Sequence, residues 1–206
     1  RYGRYLNKMT TTAATASKGK KFLKDLGTYA IGNLGSKFIT FALVPLYTYI
    51  FTDTAEYGYY DICVAVAFFL SPFISLGLQA ANLRLLLDTA ESDLDRRRAI
   101  ITFWLKCMAR NSLAILAIAL IIASFTEIRY VMYTVVFGII QCFYESSQQT
   151  LRGLGKTKAF TTCSIVNSFL IGVFSIVFIV WFRWGIPGLF LANITSRVAT
   201  MIVLLL

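Results

Sequence analysis

LGTYAIGNLGSKFITFALVPLYTYIF, residues 26–51, is apolar for most of its length yet carries Lys37 near its middle. About 20 apolar residues suffice to cross the hydrocarbon core of a bilayer as a helix. A Lys at that depth costs roughly 2.5 kcal/mol or more, so it requires a polar partner or a wet cavity. Helical spacing places Tyr29, Asn33, Lys37, Thr40 and Val44 on one stripe, with Ser36 beside it. Leu34, Phe38, Phe41 and Ala42 cover the opposite side. The stretch reads as a membrane helix with one polar face.

The rest of the chain agrees with that class. Of its 206 residues 57% are hydrophobic and only 15% charged, and the mean hydropathy is +0.68. A soluble domain of this size does not need so much apolar surface. Strands of a membrane barrel would give segments of about ten alternating residues, whereas the apolar runs here are far longer. The expected fold is therefore an all-α membrane protein. Its six transmembrane helices lie at about 26–51, 57–80, 99–124, 130–150, 159–182 and 186–206, together a lobe over 26–206. Residues 1–25 form a polar, basic segment with no apolar stretch before a cleavage site, which excludes a signal peptide. Within it, KKFLKDL reads as an amphipathic lead-in on the membrane surface. The chain starts at Arg1 and stops inside the apolar run TMIVLLL, so it reads as a piece of a longer polypeptide.

A formal charge of +10 invites a nucleic-acid reading until the cations are placed. Seven lie in 1–25, four in the link 82–98 and three in the link 152–158, while the alternate links hold only Arg129 and Arg183. That asymmetry orients a membrane protein with its N-terminus in the cytoplasm, and no basic face is left for nucleic acid. Cys63, Cys107, Cys142 and Cys163 each lie in a separate apolar run without paired spacing, so they read as free buried thiols. Histidine is absent. No metal site, cofactor or catalytic centre is expected.

Three local patterns resemble motifs and fail on context. GLGKT at 153–157 lacks the leading Gly of a phosphate loop, having Thr150 there, and follows a membrane helix rather than a strand. It reads as a tight cytoplasmic turn. Asp93-Leu94-Asp95 has no nucleotide-binding domain around it and reads as solvated acids balancing Arg96, Arg97 and Arg98. Asn193-Ile194-Thr195 lies within a helix and is discounted as a glycosylation acceptor.

The charges inside the helices are the functional signal. Lys37, Lys106, Arg110 and Arg197 face only Asp61 and Glu145 as acids, an excess of cations that suits a hydrated cavity for an anionic substrate. Lys106 and Arg110 sit one turn apart on one face, and Lys106 is near enough to a helix end to snorkel. Gln141, Glu145, Gln148 and Gln149, followed by Arg152, make the fourth helix distinctly polar along one stripe. Asp61, Ser71, Ser75 and Gln79 do the same for the second.

TYAIGNLGSKFITFALVPLYTYIFTDTAEYGYYD resembles the first helix and loop of bacterial polysaccharide biosynthesis membrane proteins of the O-antigen flippase type. These belong to the superfamily of multidrug, oligosaccharidyl-lipid and polysaccharide exporters. The resemblance rests on Gly32, Asn33, Ser36 and Lys37, then PLYT at 45–48, then Glu56-Tyr57-Gly58. SLGLQAANLRL and LRGLGKTKAF are similar to the family as well, and the likeness covers about 26–195. It implies the N-terminal lobe of a two-lobed inner-membrane transporter that flips a polyprenyl-diphosphate-linked oligosaccharide by alternating access. Substrate contacts would come from Lys37, Arg110 and Arg197, with Lys106 and Arg84 nearer the cavity mouth, and Asn33, Gln141 and Gln148 on sugar hydroxyls. Glu145 and Asp61 would pair charge. Partners implied are the lipid-linked glycan, membrane lipids, and polymerase and assembly proteins. The alternatives are a multidrug-type exporter of the same superfamily and a non-transporting membrane partner of a glycan-assembly complex.

Overall fold

The computed structural model describes residues 54–90, 92–125 and 130–205, and positions 27, 30, 34, 37, 38, 41, 42, 44, 45, 47 and 48 before them. Those earlier positions are all helical. The basic 1–25 segment and Asn33 lie outside the described residues. The helices that follow are α1 (Thr54–Ser75), α2 (Leu78–Asp88), α3 (Leu94–Phe125), α4 (Val131–Gly153), α5 (Thr157–Ser175) and α6 (Gly185–Leu205). A π-helical turn, Ile176–Trp181, extends α5. The described residues hold no strand, so the all-α class stands.

Four of these helices are long and apolar enough to cross a membrane: Ala55–Ser75, Leu94–Phe125, Thr157–Trp181 and Gly185–Leu204. The expectation was six. α4 has the length, 23 residues or about 35 Å at 1.5 Å per residue. Its polar stripe keeps it out of the four. Span 26–51 is described only at the positions given above.

Two expected boundaries change. The span placed at 57–80 is interrupted, because Leu76 (φ 47°) and Gly77 (φ 75°) are both left-handed and end α1 before α2 begins. Pro72 lies one turn earlier, and its carbonyl accepts the Leu76 N–H at 2.8 Å. The Ile74 carbonyl, close to the helix end, accepts the Asn111 side-chain amide of α3 at 3.1 Å. In a bilayer such a carbonyl needs a partner from a neighbouring helix. The second change is the link expected at 82–98, of which only 89–93 lies between helices. LRLLLD continues α2, which buries Asn82 and Leu86, and Arg96, Arg97 and Arg98 fall in the first turns of α3.

α4 is the centre of the bundle and packs against α1, α2, α3, α5 and α6. The sequence reason is a ridge of small residues four apart: Gly138, Cys142, Ser146 and Thr150. Small side chains let helix backbones approach closely where lipid supplies no hydrophobic drive. A methyl on Gly138 would stand 3.2 Å from the Ala67 carbonyl of α1, and one on Gly153 would stand 2.9 Å from Leu86 Cβ of α2. Polar contacts run beside the ridge: Asn82 Nδ2 donates to Thr150 Oγ1 at 2.8 Å, and Cys142 Sγ to the Ser71 carbonyl at 3.5 Å.

Two apolar cores flank this crossing. One gathers Tyr47, Tyr60, Ala67, Phe137, Leu189 and Phe190, and the other Ile74, Trp104, Met108 and Cys142. Tyr47 ties the first stretch to α5 by a 2.8 Å hydrogen bond with Ser175 Oγ. Outward, α3 exposes Phe103, Leu113 and Ile121, and Trp181 and Trp184 stand exposed beside the α5–α6 turn. Large apolar side chains outside and aromatics at a helix end are what a lipid environment accommodates.

Candidate functional site

The α4 stripe read from sequence faces a cleft of about 490 Å³ between α4, α5, α6 and the first helical stretch. Helical spacing brings Gln141, Glu145, Gln148 and Arg152 onto the cleft wall in sequence. α6 contributes Arg197, and α5 contributes Ser164, Asn167 and Ser168. Lys37 lines the same space from the first stretch and is itself exposed. Among the lining residues the cations are Lys37, Arg152 and Arg197, and the acid is Glu145. A second cleft of about 390 Å³ opens at the α1–α2 break and shares Gln79, Glu145 and Gln149 with the first.

Arg197 is held from several directions at once. Its Nε donates to Gln141 Oε1 across the helix interface. Its Nη1 donates to the Asn193 carbonyl at 2.8 Å and to Asn193 Oδ1 at 2.9 Å. The Phe137 ring lies 4.9 Å from the guanidinium carbon, within cation–π range. Only 7% of the residue is exposed. Gln141 then passes the contact on, its Nε2 donating to Glu145 Oε1 at 2.7 Å. Ser71 Oγ of α1 donates to the other oxygen of Glu145 at a long 3.4 Å. The result is a relay, Arg197–Gln141–Glu145, in which one neutral amide links a buried cation to a cleft carboxylate. Such a chain satisfies a charge that would otherwise be costly to bury.

The other residues singled out in the sequence are placed differently. Gln148 is buried at the cleft wall, and its Nε2 donates to Tyr144 Oη at 2.8 Å. Arg110 and Lys106 are exposed on α3 and line neither cleft, and Arg84 is exposed on α2. Asp61 is exposed on α1 and also lines neither. The expected convergence of Lys37, Lys106, Arg110 and Arg197 is thus present for Lys37 and Arg197. α3 packs against α1, α2 and α4, and its cations line neither cleft.

Tyr144, Gln79, Asn167 and Arg152 line the cleft without having been singled out as site residues. For α5 the signal was in the sequence, since Ser164, Ser168 and Ser175 with Asn167 fall on one helical stripe. The motif look-alikes resolve into helix ends. Gly155 (φ 72°) follows α4, with Gly155 N–H donating to the Arg152 carbonyl and Lys156 N–H to the Leu151 carbonyl. That is a Schellman turn. Asp93 Oδ1 accepts the Arg96 N–H at 3.1 Å and so caps α3. The described residues hold no group of His, Cys, Asp and Glu able to bind a metal ion. No protein-family model, curated protein or solved structure matches the chain.

Proposed function

We propose that this chain is the substrate-holding lobe of a transporter that flips a polyprenyl-diphosphate-linked oligosaccharide across the inner membrane of a bacterium or archaeon. The observation that carries the reading is the cleft among apolar helices, lined among the described residues by the cations Lys37, Arg152 and Arg197 and by one acid, Glu145. A hydrated recess with excess positive charge lowers the cost of bringing a diphosphate into the membrane. Lys37 is the exposed cation of the three and has no polar partner among the described residues, so it is free to meet a head group. In this reading no bond is made or broken and no residue is catalytic. A second lobe would close the cleft in alternation, and glycan polymerase and assembly proteins would be the partners.

A non-transporting membrane partner in glycan assembly is the second reading. It is favoured by one observation, that Arg197 is satisfied inside the bundle by Gln141, Asn193 and Phe137. The two part at Lys37. In cells carrying the full-length protein, Lys37→Ala should cut surface glycan at least about tenfold while protein abundance stays near normal, and Lys37→Arg should retain part of the export. Export and abundance are measured on the same cells. Unchanged export with Lys37→Ala would remove the substrate role and leave the second reading.

A further inference from the structure

Lys106 and Arg110 take no part in either cleft, and both are exposed on α3. Neither has a hydrogen-bond or ion-pair partner among the described residues. The sequence holds no acid from Arg96 to Thr126, so this stretch of α3 cannot neutralise them. Like charges four residues apart on a helix repel each other, and here nothing offsets the repulsion. Their depth follows from helix length. α3 has 32 residues, about 48 Å at 1.5 Å per residue, against a hydrocarbon core of about 30 Å. About 20 residues counted back from Phe125 reach Lys106, and Arg110 lies one turn deeper. Side chains on a helix lean toward its N-terminus. That brings both cations toward the membrane boundary at the end of α3 that bears Arg96, Arg97 and Arg98. In the other direction Leu113, Ala117 and Ile121 continue the same exposed stripe through the apolar part of the helix.

We infer that this stripe of α3 binds one anionic phospholipid, its phosphate between Lys106 and Arg110 and an acyl chain along Leu113, Ala117 and Ile121. An anion set between the two cations replaces their repulsion by two attractions. Charge at one end and an apolar run along the rest is the pattern of a lipid. A free phosphate would gain nothing from Leu113 to Ile121. A partner helix would have to bury a carboxylate below the membrane boundary, a cost that a headgroup phosphate already at that boundary does not carry. The site is independent of what the clefts hold.

The test uses the full-length protein in detergent micelles doped with equal amounts of phosphatidylglycerol and phosphatidylcholine, the retained lipids being counted by native mass spectrometry. The wild type should retain phosphatidylglycerol about tenfold more readily, the order expected of two cations at a membrane surface. Lys106→Gln with Arg110→Gln should bring the two lipids within about twofold of each other. Lys156→Gln with Lys158→Gln removes the same charge from exposed positions beside the α4–α5 turn and should keep the preference. On the unaltered protein the neutral methyl phosphotriester of phosphatidylglycerol should be retained no better than phosphatidylcholine, a readout independent of how a variant folds. Excess inorganic phosphate should not displace the bound lipid. A preference that survives the loss of Lys106 and Arg110, or that falls equally in both pairs of changes, would overturn the inference in favour of a site elsewhere or a diffuse surface charge. Displacement by inorganic phosphate would overturn the acyl-chain contact and the lipid assignment with it. Equal retention of both lipids by the wild type would overturn the inference outright and leave the pair to a partner helix bearing a carboxylate.

Discussion

At the scale of single residues, the cleft's cations differ in kind. Lys37 is exposed and unpartnered among the described residues, whereas Arg197 is buried and held by Gln141, Asn193 and the Phe137 ring. Removing Arg197 strips donors from Gln141 Oε1 and Asn193 Oδ1 and leaves Glu145 linked to an amide that no longer leads to a cation. Hydrogen bonds between membrane helices average well below 1 kcal/mol each, but those to a buried charge are stronger. Arg197→Met should therefore destabilise the protein by about 2 kcal/mol or more, and Lys37→Ala by less than about 0.5 kcal/mol. Denaturant unfolding in mixed micelles checks both values. Gln141→Leu combined with Arg197→Met should cost much less than the sum of the single changes, because each removes the same bond. Additive costs would dissolve the relay. The sequence made Gln141, Glu145 and Arg197 visible as polar groups in apolar helices. It did not distinguish a cation offered to a ligand from one consumed by the fold, because that difference depends on which helix stands opposite.

At the scale of elements, α4 shows how a polar helix can be the most deeply packed one. Its small-residue ridge meets α1 and α2 while its amide stripe faces the cleft, so both faces are used. Glycines test this directly. Gly153→Ala should destabilise by about 1–3 kcal/mol, since its methyl would press on Leu86 Cβ, which cannot swing away. Gly58→Ala in α1 meets open space and should instead stabilise by up to about 1 kcal/mol through helix propensity. Thermal unfolding of both variants in one detergent gives the comparison, and equal signs would contradict the close α2–α4 crossing. Four described helices are long and apolar enough to span, against six expected, so it was the all-helical class and the order of the apolar helices that the sequence made legible. The α1–α2 break was not, since the apolar run continues through Ser75-Leu76-Gly77 and hydropathy does not register a backbone turn. The 82–98 region was misjudged for the opposite reason. Its charges suggested a loop, yet Leu86 buried against Gly153 and Asp93 capping α3 make most of it helical.

At the scale of the whole molecule, charge and helix direction make one statement about orientation. α2 ends and α3 begins at the same end of the bundle as the α4–α5 turn, because α3 and α4 run consecutively through it. That end carries Arg96, Arg97 and Arg98 in the first turns of α3, together with Arg152, Lys156 and Lys158 around the turn. The opposite end, where α3 stops at Phe125 and α6 starts at Gly185, has Arg183 as its cation among the described residues. The bias of Lys and Arg toward the cytoplasmic side then predicts that the α2–α3 and α4–α5 links lie inside the cell. The shift of Arg96–Arg98 from a loop into α3 does not weaken this, since cations count when close to a span's end, helical or not. The check uses a variant of the full-length protein with its cysteines, including Cys63, Cys107, Cys142 and Cys163, replaced. Single cysteines are placed at Ser92 and Ser124, both exposed. In intact cells an impermeant maleimide should label Ser124→Cys and reach Ser92→Cys only after lysis. The reverse pattern would invert the molecule. Labelling of both before lysis would mean that α3 does not cross the membrane, and the cleft would lose the bilayer that gives its charges their meaning.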